Sequence, residues 1–126
     1  MISIIDDDAL ARDGIRDLVE SLGYESLTFV SAEHFLESGS VEKTTCLITD
    51  IQMPGLSGLD LQEKLHAQGY RTPVILITAY PNEQQRSRAL GAGAIGFLSK
   101  PFEERSLLDC LDVAMNRANH QPMASC

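Results

Sequence analysis

Residues 73–78, Pro-Val-Ile-Leu-Ile-Thr, decide the fold. The aliphatic run between Pro73 and Thr78 is too short for a helix and lacks the in-out alternation of a half-exposed strand. It reads as a strand covered on both faces, as in a parallel sheet. Moving outward, Thr44 to Ile51 is a second run of this kind and Ile2 to Ile5 a shorter one. Ser26 to Val30, poorer in β-branched residues, and Ile95 to Leu98 complete the strands. Between them the apolar spacing becomes helical. Leu10 to Leu22 carries Leu10, Ile15, Leu18, Val19 and Leu22, and Gly23 follows as a stop. Ser31 reads as the N-cap of a helix through Phe35 and Leu36 that ends near Gly39. Met53 to Gly58 is turn chemistry before a helix from Leu59 to Gln68. Asn82 to Leu90 is a polar helix, and Glu103 to Arg117 an amphipathic one bearing Leu107, Leu108, Leu111 and Met115. Strand and helix alternate five times, which predicts βαβ units, a parallel sheet and right-handed crossovers.

The polar residues that end these strands carry the chemistry. Asp6 and Asp7 follow the first apolar run, Asp50 the third, Thr78 the fourth and Lys100-Pro101 the fifth. The carboxyl ends of parallel strands share one sheet edge, where ligands bind. Acidic residues after a strand are also ordinary helix N-caps, and Asp8 is assigned that role. Neighbouring carboxylates repel, however, and a hard cation with oxygen ligands removes that cost. A carboxylate such as Asp50 is also a recognised nucleophile towards a phosphoryl donor. Phosphoryl transfer needs mainly charge neutralisation on the equatorial oxygens, to which Lys100 would bring a point charge and Thr78 a hydroxyl donor. Singly, Lys100 reads as a solvated surface residue and Thr78 as a β-branched strand residue; only the combination is specific.

The remaining features exclude more than they assign. A chain of 126 residues is one domain's worth. Its net charge of −8, from 18 acidic and 10 basic residues with no basic run, argues against a nucleic-acid-binding surface. The three cysteines, Cys46, Cys110 and Cys126, have no metal-ligand spacing, and Cys46 sits in an apolar run that predicts a buried strand position. Free thiols suit a reducing cytosol. The apolar start, Met1 to Ile5, is too short for a signal peptide or membrane span. Gly91-Ala92-Gly93-Ala94-Ile95-Gly96 matches the dinucleotide pattern G-x-G-x-x-G, but a helix precedes it and a strand follows. The pattern works only in the reverse order, so Gly91 and Gly93 are read as helix C-cap and turn residues. His34, His66 and His120 are scattered and receive no role.

Across residues 2 to about 118 the sequence resembles the receiver domains of two-component response regulators. The matching pieces are Ile4-Ile5-Asp6-Asp7-Asp8, Leu47 to Gly58 around Asp50, Val74 to Ala79 around Thr78, and Ala89 to Phe102 around Lys100-Pro101. Residues 28–36 and 58–62 are most similar to the FixJ-like branch with LuxR-type output, whose members usually carry a C-terminal helix-turn-helix domain. The resemblance implies a flavodoxin-like (βα)5 fold, doubly wound, with strand order 2-1-3-4-5. It implies Asp50 as phosphoacceptor from a sensor histidine kinase phosphohistidine, and Mg2+ held by Asp6, Asp7, Asp50 and the backbone carbonyl of Gln52. Thr78 and Lys100 would bind the phosphoryl oxygens, and Phe97 would be the aromatic switch partner of Thr78. The Lys100-Pro101 bond would be cis, against the trans default for an X-Pro pair. The region of the fourth and fifth strands with their helices would be the output face, forming a phosphorylation-dependent homodimer or partner surface. The protein would be cytoplasmic, free of membrane, and not an enzyme beyond its own phosphorylation and dephosphorylation.

The chain departs from the pattern at Tyr80-Pro81, where FixJ-like chains often have a Gly-rich loop, and at Phe97, which lacks the hydroxyl of the commoner tyrosine. Residues 1–118 are expected to form the receiver and 119–126 a linker or tail. DNA would be reached only through an output domain absent from this sequence, which is either an excised receiver or a single-domain regulator; the net charge and tail favour the former. Two other readings stand beside this one. A phosphate-independent interaction module on the same fold would be attractive if Asp7, Asp50, Thr78 or Lys100 were missing, and none is. A Mg2+-dependent phosphatase would normally need a second acid two residues beyond Asp50, where the chain has Gln52.

Overall fold

The computed structural model describes residues 1–119. Strands β1 (Ile2–Ile5), β2 (Ser26–Phe29), β3 (Cys46–Asp50), β4 (Val74–Thr78) and β5 (Gly96–Ser99) alternate with helices α1 (Ala9–Ser21), α2 (Ala32–Glu37), α3 (Gly58–Ala67), α4 (Glu83–Gly91) and α5 (Glu104–Asn119). All strand pairs are parallel and the order is β2-β1-β3-β4-β5, as the resemblance implies. Because strand side chains alternate between faces, each central strand feeds two cores. Leu47 and Leu76 point to the side where Phe35, Leu61, Leu65 and Ala89 pack from α2, α3 and α4. Ile48, Ile75 and Ile77 point to the opposite side, against Ile15 and Val19 of α1 and Leu107 and Leu111 of α5. Every residue of β1, β3 and β4 is buried, which explains why their apolar runs are nearly unbroken.

The helix starts follow local chemistry. Asp8, Ser31, Ser57 and Asn82 each place a side-chain oxygen on an N–H of the following turn. At α3 the cap is reciprocal, since Asp60 also accepts from the Ser57 N–H. Helix α5 runs through Asn119, one residue into the stretch expected to be linker, and residues 120–126, with His120 and Cys126, lie outside the described residues. Gly91 is the last residue of α4 rather than its cap; Ala92 is the cap, and Gly93 at φ +94° makes the turn. A strand then begins at Gly96, so the dinucleotide pattern has the wrong structural order for a phosphate cradle. Cys46 is buried in β3 and its thiol is pushed up to about 12, chiefly by burial, as an inert core residue should be. Among the described residues no helix is long and apolar enough to cross a membrane.

Candidate functional site

At the carboxyl edge of the sheet, β1, β3, β4 and β5 each deliver a polar residue. Asp6 follows β1, Asp50 ends β3, Thr78 ends β4, and Lys100 follows β5. The register brings them together, because Ile5 pairs with Thr49, Asp50 with Ile77 and Thr78 with Ser99. One carboxylate oxygen from each of Asp6, Asp7 and Asp50 lies within 4.8 Å of the other two. Asp6 and Asp50 are buried and Asp7 is exposed. Three converging carboxylates form a hard, oxygen-only donor set suited to a divalent cation such as Mg2+.

Lys100 holds the cluster together. Its Nζ donates to Asp6 Oδ2 at 2.9 Å and to Asp50 Oδ2 at 3.0 Å. The other oxygen of Asp6 accepts the Asp8 N–H at 2.9 Å. The other oxygen of Asp50 accepts only a long bond, 3.3 Å, from the Gln52 N–H. That Asp50 oxygen is therefore the least committed of the buried carboxylate atoms. Burial raises the Asp50 pKa, the Lys100 hydrogen bond opposes this, and the Asp6 charge adds to the rise. For Lys100, desolvation pulls the pKa down, but its bonds to Asp6 and Asp50 outweigh it and the ammonium is favoured overall. The Lys100-Pro101 peptide is cis, as the resemblance implies and against the trans default.

Of two glycines after Asp50, Gly58 is dictated by space and Gly55 by its backbone conformation. A Cβ on Gly58 would collide with the Asp50 carbonyl oxygen, so α3 can start directly beneath the phosphoacceptor candidate only with glycine there. Gly55 has φ +79°, and a Cβ on it would collide with the Glu33 carboxylate.

Thr78 is buried, and its hydroxyl is already engaged. It donates to Gln52 Oε1 at 2.6 Å and accepts the Tyr80 N–H at 3.0 Å. Phe97 on β5, in register with Leu76 of β4, is partly buried against the core on the α2, α3 and α4 side. The structure thus brings Asp6, Asp7, Asp50 and Lys100 into one cluster, with Thr78 bound to Gln52 beside it. Sequence reasoning gave Gln52 only a backbone carbonyl, and no local pattern marks its side chain as the partner of Thr78. Arg12, whose Nη1 donates to the Asp6 carbonyl at 2.8 Å, was missed as well. It sits on the first turns of α1, where a basic residue has no periodic signature.

The sequence profile of the response regulator receiver domain matches residues 2–112. The chain belongs to this family. Nodulation protein W of Bradyrhizobium diazoefficiens is 38% identical over 117 residues, 93% of this chain and 52% of that protein. The transcriptional regulatory protein FixJ of Azorhizobium caulinodans is 33% identical over 120 residues, 95% of this chain and 57% of that one. Among solved structures, the response regulator StyR superposes with a TM-score of 0.88 at 41% identity, covering 98% of this chain and 62% of that chain. FixJ-N superposes with a TM-score of 0.81 at 28% identity, covering 95% and 94%. This receiver domain spans about half the length of the curated relatives it matches. The similarity to FixJ expected from residues 28–36 and 58–62 is therefore found across the domain.

Proposed function

We propose that this receiver domain accepts a phosphoryl group on Asp50 from a phosphohistidine of a sensor histidine kinase, and thereby controls a C-terminal DNA-binding output domain. The observation that carries the reading is the position of Asp50, buried at the end of β3, with one oxygen held by Lys100 and the other weakly engaged. The weakly engaged oxygen attacks phosphorus in line. A P–O bond to Asp50 forms as the P–N bond to imidazole breaks, and the imidazole leaves with the bonding electrons and takes up a proton. Asp6, Asp7, Asp50 and the backbone carbonyl of Gln52 would hold Mg2+, which when bound neutralises charge on the phosphoryl oxygens. The clustered carboxylate oxygens fit that ion.

Lys100 lies beside Asp50 and can shift from carboxylate to phosphoryl oxygen without leaving the site. Thr78 can offer its hydroxyl to the same group after releasing Gln52. The phosphatase reading lacks support at Gln52, an amide that cannot protonate a leaving group and that is committed to Thr78. The relatives named as transcriptional regulators favour an output on DNA, reached through a segment other than this domain, whose net charge is −8. Phosphorylation would act on the face of α4, β5 and α5, which would serve as a dimer or partner surface. Residues 1–118 would suffice as the phosphoacceptor unit, with 119–126 as a linker or tail, and the site of action would be the cytoplasm.

Incubation with a small acyl phosphate and Mg2+, read by intact mass, tests the reading. A single phosphoryl adduct on wild type, absent from Asp50→Asn, is the expected result. Adduct formation at the wild-type rate in Asp50→Asn would remove Asp50 from the mechanism.

A further inference from the structure

The loop from Ile51 to Ser57 connects Asp50 to α3 and carries Gln52, whose carbonyl and amide both serve the site as read above. The β-sheet and α3 secure its two ends: the Ile51 N–H donates to the Ile77 carbonyl at 2.9 Å, and the Gly58 N–H to the Ile51 carbonyl at 3.1 Å. Its middle is secured from a different part of the chain. The Leu56 N–H donates to Glu33 Oε2 at 2.8 Å, across 23 positions of sequence. Glu33 stands in the first turn of α2, after the Ser31 cap. Its carboxylate occupies the space that a side chain on Gly55 would fill, and Gly55 takes the φ of +79° that lets the loop turn around it. Met53 and Leu56 flank this point and pack on the core beneath. The carboxylate is thus a clamp on the crest of the loop, and its pKa is lowered chiefly by the Leu56 bond.

We propose that Glu33 is a positioning residue for Mg2+-dependent phosphoryl acceptance: by clamping the Leu56 N–H over Gly55, it fixes the loop that presents Gln52 to the cation and to Thr78. This inference rests on the phosphoacceptor reading and adds a residue from α2, a helix that contributes nothing to the carboxylate cluster itself. An acid in the first helical turn has a local explanation in the helix dipole. That explanation requires charge and no particular partner. The clamp requires an acceptor oxygen at the Leu56 N–H and does not require charge.

The two are separated by comparing Glu33→Ala with Glu33→Gln, which keeps an oxygen on the same stem and loses the charge. For each protein, Mg2+ affinity is measured by calorimetry, the rate of adduct formation with an acyl phosphate by intact mass, and the melting temperature without Mg2+. Glu33→Ala is expected to bind Mg2+ about three- to tenfold more weakly and to slow phosphorylation by a similar factor, the range of one lost hydrogen bond. Glu33→Gln is expected to restore both to within about twofold of wild type. A Glu33→Ala protein with a lower melting temperature but wild-type Mg2+ affinity and rate overturns the proposal and leaves Glu33 a stabilising residue only. Equal loss in both variants also overturns it, in favour of charge. If wild type itself neither binds Mg2+ nor gains a phosphoryl group, the phosphoacceptor reading fails and this inference with it.

Discussion

Replacing Gln52 by leucine should tighten the domain's grip on a phosphoryl mimic. In the structure the Thr78 hydroxyl is buried and donates to Gln52 Oε1 at 2.6 Å. To reach a phosphoryl oxygen on Asp50, the hydroxyl must leave that partner. Leucine keeps most of the side-chain volume but accepts no hydrogen bond, so in the free variant the Thr78 donor is stranded. A buried donor without a partner costs about 1–3 kcal/mol. In the phosphoryl-bound state the hydroxyl has a new acceptor in both proteins, and the released Gln52 amide of wild type, partly exposed, is solvated. The penalty therefore falls on the free variant alone and favours the bound state. At about 1.4 kcal/mol per factor of ten, the range corresponds to roughly five- to a hundredfold tighter binding. Water can reach the partly exposed position 52, which places the expected effect near the lower end, about fivefold. Calorimetric titration with beryllofluoride at saturating Mg2+ measures it, with a separate Mg2+ titration as control because the position 52 carbonyl is retained. Unchanged or weaker beryllofluoride binding, with normal Mg2+ affinity, would refute the idea that Gln52 restrains Thr78.

Other outcomes follow from the same cluster. Burial raises the Asp50 pKa above its ordinary value of 3.8, so the stability linked to this group is complete below that value and declines as pH rises through the folded-state pKa. Asp50→Asn should therefore melt above wild type at pH 7 without Mg2+, with a gap that narrows towards pH 3.5; a wild type that is the more stable across that range counts against the cause given. Mg2+ should raise the wild-type melting temperature by mass action, contributing about 1.4 kcal/mol at ten times its dissociation constant. Asp7→Asn should lose most of that response and be slightly more stable than wild type without the ion, as relief of repulsion requires; a melting curve indifferent to millimolar Mg2+ would speak against the site. Phe97→Ala should abolish phosphorylation-dependent association in sedimentation, since the aromatic side chain, partly buried beside Leu76, is the group expected to follow Thr78. Identical association in both proteins would exclude it from the switch.

The sheet and its order of elements were legible in the sequence because their signals are local. The unbroken run Val74 to Ile77 marks a strand buried on both faces, and the caps Asp8 and Ser31 lie within one turn of the N–H groups they serve. Asp6, Asp7, Asp50, Thr78 and Lys100 were legible as strand-end residues for the same reason, since parallel topology sends all strand ends to one edge. Only the tertiary structure decided how those residues divide their hydrogen bonds. Lys100 meets Asp6 and Asp50 across 94 and 50 positions of sequence, Thr78 meets Gln52 across 26, and Glu33 meets Leu56 across 23. Glu33 is the plainest instance. A helix-dipole role accounts for it locally, and nothing near it reports that the β3–α3 loop passes within reach of its carboxylate. Such pairings depend on register, loop path and the space left by Gly55 and Gly58, which are set by packing and leave no periodic mark in the chain.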